Sequence, residues 1–327
     1  MIGIRKFFVS TALGLSMIVG AGGVQAADWP ARNITMIVPF GAGGSIDRFA
    51  RGLAQHWEKE LGNVSIIVEN RGGASGLLGA MTFLKAKPDG HTIFVGIQPT
   101  LSMNILVQDA PFALSDFAFI NVEQRDYGDV VVGADSRFKT MQDFVDEARA
   151  KPGTLSAAMI HGGGTSLFGL ALLEELGLDV RVVTFDSGGA LRTNMLGNHS
   201  DVTISGAYGD VSLGDKVRVL AVASAEPFPG LADAVPVPQA YKDAKVPQIG
   251  DSRFIAVHSA FAKQHPELFQ KMVDSYRKVF ESEAYQAYLK KTGTDVISQY
   301  VGPEVSLQQS QEMNAVVERF KDVLKNK

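Results

Sequence analysis

Residues 34–50 read ITMIVPFGAGGSIDRFA and combine a strand, a glycine-rich turn and a helix. The stretch Ile34–Val38 is apolar and rich in β-branched residues, which predicts a buried strand. The turn over 39–45 contains three glycines, and apolar side chains then recur at helical spacing from Ile46 to Trp57. Strands that lead through such turns into amphipathic helices build α/β folds, so this stretch predicts the fold class.

The same unit recurs further along the chain. Further strands are predicted at 64–68, 92–96, 130–132, 155–160, 180–185, 202–205, 217–223 and 254–257, and helices at 80–84, after a glycine loop over 71–79, and at 140–150, 165–176, 190–196, 266–290 and 306–324. The proline-rich stretch 227–247 predicts a return crossing between two lobes. We therefore expect lobe 1 over 27–126 and 249–327 and lobe 2 over 127–248, each a mostly parallel sheet flanked by helices.

The first 26 residues predict a secretory signal peptide. Arg5 and Lys6 precede an apolar, glycine-rich run over 7–23, and small residues end at Ala26, where cleavage is expected. A membrane anchor is the alternative, but the apolar run is short for a span and is followed by a cleavage pattern. The chain has no cysteine, which excludes disulfides, thiolate metal sites and the acylated cysteine of a lipoprotein. A periplasmic protein without a lipid anchor is expected.

Composition and motifs exclude several other functions. The formal charge is −4 and there are no basic clusters, which argues against nucleic acid and anionic membranes as partners. Neither the nucleotide fingerprint G-x-G-x-x-G nor a P-loop is present. The six histidines lack metal-ligand spacing, and no serine sits in a G-x-S-x-G elbow. We expect no cofactor, no metal and no catalytic residues.

The glycine turns can bind anions. A helix N-terminus carries unpaired N–H groups and the positive end of the helix dipole, and glycines allow a ligand to approach closely. Candidate turns are 42–45, 162–166 and 187–189, and open α/β sheets bind ligands at this edge. Tight packing is the alternative for each turn. His161 could donate to a carboxylate, act as a base or be an ordinary loop histidine. For Asp47, the alternative to a role in the site is that it merely favours the dipole of its own helix or caps that helix.

Several motifs resemble one family. They are Trp29-Pro30, the run 34–44 with Asp47, the segment 68–76 and the turn 88–92, where His91 replaces a usual tyrosine. This set is similar to the opening of the Bug family, the extracytoplasmic solute-binding subunits of tripartite tricarboxylate transporters (TctC-like). The resemblance extends more weakly over the whole mature chain.

The resemblance implies a two-lobed periplasmic-binding-protein (Venus-flytrap) fold. It implies a ligand held between two strand–turn–helix pincers, 40–47 and 161–166, with loops 98–100 and 185–189 and the segment after 201 lining the cleft. The ligand-binding residues implied are Phe40, Ala42, Gly43, Gly44, Ser45, Asp47, Gln98, Thr100, His161, Gly163, Gly164, Thr165, Ser166, Phe185, Ser187, Gly188, Ser205 and Tyr208.

The implied function is capture of a small mono- or dicarboxylate, or an aromatic acid, by a monomeric receptor that delivers it to membrane permease subunits. The segment 185–187 reads Phe-Asp-Ser where the family often has Tyr-Lys-Gly. An acid in place of a base argues against a highly charged substrate such as citrate and favours a monocarboxylate, an aromatic acid or a ligand with an amino group. A receptor that docks on a sensor kinase is the alternative, and a periplasmic hydrolase using His161 is less favoured.

Overall fold

We describe a computed structural model, which covers residues 29–62, 64–185 and 188–325. The predicted signal peptide and Ser187 lie outside the described residues. Within those ranges no helix has both the length and the apolar character needed to cross a bilayer.

In the described part of the chain, eleven strands form two sheets. They are β1 (Ile34–Val38), β2 (Ile66–Asn70), β3 (Thr92–Gln98), β4 (Phe117–Arg125), β5 (Gly128–Gly133), β6 (Ser156–Ile160), β7 (Arg181–Phe185), β8 (Val202–Gly206), β9 (Val217–Val222), β10 (Val235–Pro236) and β11 (Ser252–His258). The first sheet has the order β2-β1-β3-β11-β4 and the second β10-β9-β5-β8-β6-β7. We call each sheet with its helices a lobe.

One strand in each sheet runs against its neighbours. Strand β11 is antiparallel to β3 and β4, and β5 is antiparallel to β8 and β9. The pairs β1–β2, β1–β3, β6–β7 and β6–β8 are parallel. Because β3 and β4 are both antiparallel to β11, the carboxyl ends of β1, β3 and β4 lie at the same edge of the first sheet. The carboxyl ends of β6, β7 and β8 lie at one edge of the second sheet, and turns at these edges can form a site.

Thirteen helices within the described ranges cover the sheets. They are α1 (Ser45–Leu61), α2 (Leu77–Leu84), α3 (Thr100–Leu106), α4 (Met141–Ala150), α5 (Gly164–Glu175), α6 (Gly188–Leu196), α7 (Ala207–Val211), α8 (Val237–Ala240), α9 (Ser259–Gln264), α10 (Pro266–Glu281), α11 (Glu283–Thr292), α12 (Gly302–Arg319) and α13 (Lys321–Lys325). Short 3₁₀ turns lie at Ala74–Gly76, Leu114–Asp116, Gly214–Lys216 and Thr294–Val296.

Hydrophobic burial explains where the long helices lie. Helix α1 buries Phe49, Leu53 and Trp57 in the first-lobe core and keeps its charged residues on the outer side, except for Asp47 in its first turn, which is buried. Helix α5 is buried almost all round, with Leu167 and Phe168 fully enclosed in the second-lobe core. It therefore lies deep inside its lobe, and its N-terminus is fixed in place by packing.

The chain crosses between the sheets twice, from β4 to β5 and from β10 to β11. The two crossings are hydrogen bonded to each other, from Gly128 N–H to Ile249 O at 2.8 Å and from Asp126 N–H to Asp251 O at 3.0 Å. The predicted lobe boundaries at 126/127 and 248/249 remain a proposal. Helix α12 bridges the lobes, because Ser306 Oγ accepts from Val122 N–H of β4 at 2.8 Å while Phe320, just beyond its end, packs in the second-lobe core.

Four sequence-based expectations on secondary structure need correction. The predicted helix 306–324 is two helices, α12 and α13, which are separated at Phe320. Strand β4 was not predicted, because its sequence contains buried polar residues that break the apolar run. Helix α3 is only seven residues long and was also missed. The predicted helix 266–290 is two helices, because Ser282 ends α10 and its hydroxyl accepts from Tyr285 N–H at 3.3 Å to start α11.

Candidate functional site in the interlobe cleft

The first pincer, 40–47, is a preorganised turn between β1 and α1. Gly43 has φ +82°, a conformation that favours glycine, and its N–H donates to Asp47 Oδ2 at 2.8 Å. Asn70 Nδ2 donates to Asp47 Oδ1 at 2.9 Å and to Phe40 O at 3.0 Å. Burial alone would raise the pKa of Asp47, but bonds from Arg51, Gly43 and Asn70 outweigh it and hold that pKa below its ordinary value. Asp47 therefore shapes the turn from within.

The N-terminus of α1 is left open by this turn. Gly44 occupies the N-cap position and no side chain caps the helix. Residues 41–45 are exposed, and a methyl group added to Gly41 or Gly43 would meet nothing within 4 Å. The first-turn N–H groups of a helix have no intrahelical partner, so this end can receive an oxyanion.

The second pincer, 161–166, is already satisfied by the protein. Ser166 Oγ accepts from Gly163 N–H at 3.0 Å and donates to Gly163 O at 2.7 Å. Gly164 N–H donates to Asp251 Oδ1 at 2.8 Å. A carboxylate of the segment that leads from β10 back into β11, residues 237–253, which we call the returning crossing, therefore caps α5. Burial raises the pKa of Asp251, which the charge of Arg253 and the Gly164 N–H oppose. The two pincers therefore differ in chemistry.

The returning crossing also reaches the first pincer. Arg253 is 5% exposed, and its Nη2 donates to Ser45 Oγ at 3.1 Å and its Nη1 to Gln124 Oε1 at 3.3 Å. Asp251 and Arg253 are two residues apart, which places them on the same face of an extended chain. One short segment thus contacts both pincers.

Three cavities lie along the junction of the lobes. The first, which we call the arginine cavity, measures about 280 Å³ and is lined by Ser45, Arg48, Gln124, Tyr208 and Arg253 and by residues of α11. The second, the histidine cavity, measures about 80 Å³ and is lined by Ser75, Thr100, Asn104, His161, Ser166 and Thr184 among others. The third, about 380 Å³, lies between α12 and the crossings and is lined by Gln98, Arg125, Ser252 and Ser310 among others.

The predicted site residues are divided among these features. Ser45 and Tyr208 line the arginine cavity, Thr100, His161 and Ser166 line the histidine cavity, and Gln98 lines the third. Phe40 is half-buried beside Gly76, whereas Ala42, Gly43 and Gly44 are exposed at the first pincer. Gly163 and Gly164 form part of the second pincer, and Thr165 is buried there. Phe185 ends β7, Gly188 begins α6, and Ser205 pairs with Asp129 across β8 and β5.

Sequence reasoning missed three charged residues at the crossings, namely Asp126, Asp251 and Arg253. Asp126 Oδ1 accepts the N–H groups of Tyr127 at 2.9 Å and Tyr208 at 3.0 Å. Burial raises its pKa to about 6, against the opposing charge of Arg253. The signal that could have found them is their position in the sequence, because all three lie close to the predicted lobe boundaries, where the two lobes meet. Within the described residues, no group of three or more acidic or histidine side chains could hold a metal ion.

Comparison with known proteins gives consistent matches. Residues 49–325 match the family model described as the tripartite tricarboxylate transporter family receptor. A UPF0065 protein in the gbd 5′ region of Cupriavidus necator is 29% identical over 289 residues, which is 86% of this chain and 84% of that protein. A TctC solute-binding protein from Polaromonas has a TM-score of 0.74 at 21% identity, over 91% of this chain and 99% of the other. MatC from Rhodopseudomonas palustris with bound malate has a TM-score of 0.71 at 21% identity, over 90% and 100%. At these identities the structures show the shared fold.

Proposed function

The chain belongs to the family of tripartite tricarboxylate transporter receptors, and from that premise we propose that it is a periplasmic solute-binding protein for a small carboxylate. It captures the carboxylate in the interlobe cleft and delivers it to the membrane permease subunits of such a transporter. We propose that it acts as a monomer after removal of residues 1–26. The observation that supports this most directly is the uncapped N-terminus of α1 at the cleft.

The asymmetry of the pincers favours the first one as the carboxylate site. Helix α5 already has the Asp251 carboxylate at its N-terminus, whereas α1 has no such cap. A ligand carboxylate at α1 would complete the first pincer in the way that Asp251 completes the second. MatC, a structure with the same fold, holds malate, which is a small dicarboxylate.

Thermal melting of residues 27–327 against a panel of mono- and dicarboxylates, aromatic acids, sugars and nucleotides tests the proposal. A ligand at a hundred times its dissociation constant stabilises the folded state by about 2.7 kcal/mol, which is a clear shift. A response confined to carboxylates supports the proposal. A response to sugars or nucleotides alone, with none to carboxylates, would overturn it.

The variant Gly44→Val tests whether the ligand carboxylate binds at the N-terminus of α1. A Cβ at Gly44 would come no closer than 3.7 Å to Gly41 O, so the fold tolerates a side chain there. The added methyl groups would cover the end of α1 and should weaken carboxylate binding by about tenfold or more. The matched control is Gly189→Val at the start of α6, where a Cβ meets nothing within 4 Å. Loss of binding in the control but not in Gly44→Val would move the site to the α6 turn.

A further inference from the structure

We infer that the arginine cavity is a second anion-binding subsite, in which Arg48 and Arg253 hold a distal acidic group of the ligand. This inference rests on the proposed function, because it adds a second contact for the same bound acid. The group is an oxyanion, namely a carboxylate, a sulfonate or a phosphonate, on a short chain whose first carboxylate lies at the first pincer.

The lining of the cavity has one sign of charge. Arg48 and Arg253 line it together with hydroxyl and amide side chains and with the phenyl ring of Phe49, and none of its described lining residues carries a carboxylate. Arg48 Nη1 donates to Gly43 O at 2.6 Å, which is a neutral acceptor. Among residues 29–62, 64–185 and 188–325, neither arginine has an ion pair within 4.0 Å. Both cations therefore remain available to a ligand anion.

Arg253 is the more unusual of the two, because it is buried and incompletely paired. Its Nη atoms bond to the neutral side chains of Ser45 and Gln124, and its Nε finds no hydrogen-bond partner among the residues that the structure describes. Asp126 and Asp251 are close enough for its charge to oppose the rise in their pKa values. Their hydrogen-bonded oxygens, however, accept from backbone N–H groups rather than from the guanidinium. A buried charge is costly unless it is paired and hydrogen bonded, so a ligand anion would stabilise it strongly.

The cavity is formed by both lobes. Tyr208 of the second lobe donates its hydroxyl to Thr292 O of the first lobe at 2.7 Å, and both residues line the cavity. Exclusion of water on closure strengthens charge-assisted bonds. The cavity volume of about 280 Å³ suits the acidic end of a short ligand.

The test compares acids that differ only in the distal group. Succinate is paired with butyrate and adipate with hexanoate, and 3-sulfopropanoate and 3-phosphonopropanoate replace the distal carboxylate. Dissociation constants are measured by titration calorimetry on residues 27–327, and selectivity is the ratio of the constants for the monoacid and the matched diacid. We expect the protein to prefer the diacid, and the variant Arg48→Gln to reduce that selectivity by about ten- to hundredfold.

Arg48 is exposed, so its replacement should leave the fold intact, which a melting curve without ligand checks. The control is Arg32→Gln, which removes another exposed first-lobe arginine, one that pairs with Asp89 away from the cavity. Selectivity that is unchanged in Arg48→Gln, or reduced equally in the control, overturns the subsite and leaves the carboxylate receptor standing. Failure of every acid to bind overturns both proposals. The sulfonate and phosphonate arms identify which oxyanion the arginines prefer.

Discussion

Replacement of Gly164 by alanine should separate the second pincer from the returning crossing. A Cβ on Gly164 would overlap the carbonyl oxygen of Gly250 and lie 2.5 Å from its carbonyl carbon and 2.7 Å from Asp251 Oδ1. Carbon atoms normally pack at about 3.5–4.0 Å, so the two segments must move apart by roughly 1 Å. That overpacking costs about 1–3 kcal/mol, and stretching the 2.8 Å bond from Gly164 N–H to Asp251 removes about 1.5–3 kcal/mol more.

Removing a glycine from a helix returns about 1 kcal/mol, so the expected net cost is roughly 1.5–5 kcal/mol. Part of this cost can be relieved by opening of the lobes, which would weaken ligand binding instead of lowering the free energy of unfolding. We therefore expect the loss of unfolding free energy, measured by urea denaturation, and the loss of binding free energy, measured by titration calorimetry, to add up to this value. The control Gly189→Ala starts another second-lobe helix, meets nothing within 4 Å and should be neutral or slightly stabilising. Equal behaviour of the two variants in both assays would refute the reasoning.

Two further predictions concern the polar side chains of Glu123, which is buried, and Tyr208, which lines the arginine cavity. Burial raises the pKa of Glu123 to about 7 from 4.5, although Tyr276 and Tyr285 donate to it at 2.6 and 2.7 Å. Because the folded-state pKa is the higher one, its contribution is complete below pH 4.5 and is lost as the pH rises through 7. Glu123→Gln should therefore lessen the fall in stability between pH 5 and pH 8 by about 3 kcal/mol in urea denaturation, and parallel pH profiles would contradict this. Tyr208→Phe removes the hydrogen bond to Thr292 between the lobes, so stopped-flow release of a bound acid should accelerate by about fivefold, and an unchanged release rate would count against a closed bound state.

The fold could be predicted because its elements follow from local patterns. Strand β1 is a short apolar run, helix α1 has apolar side chains at helical spacing, and a glycine turn separates them; both elements lie close to where the sequence places them. Strand β4 failed the same reasoning because Asn121 and Glu123 are buried through tertiary hydrogen bonds, from Tyr276 to Glu123 and from Asn121 to Tyr276. Periodicity records only the side chains that partition by hydrophobicity, so a strand whose polar residues are satisfied by a distant helix is hidden from it.

The candidate site was only partly predictable for a related reason. The glycine turns could be recognised because a helix N-terminus preceded by glycine has a local signature. Arg253 could not, because its proximity to Ser45 joins residues 208 positions apart, and Asp251 reaches Gly164 across 87 positions. Sequence also gave no reason to separate Ser45 and Tyr208 from Thr100 and His161, which line different cavities. Such groupings depend on how the lobes meet, which no local pattern records.

The returning crossing contacts both the other crossing between the lobes and the two pincers of the site. A Cβ on Gly250 would lie 2.5 Å from Asp126 O and 2.6 Å from Gly128 N, so the two crossings are in direct backbone contact there. The next residue, Asp251, caps the second pincer, and Arg253 bonds to the first. Any rotation of one lobe about the crossings must therefore change at least one of these two contacts. A ligand anion that binds beside Arg253 acts on the same segment, so occupancy of the cleft and the angle between the lobes are coupled through residues 250–253, without a longer pathway through either core.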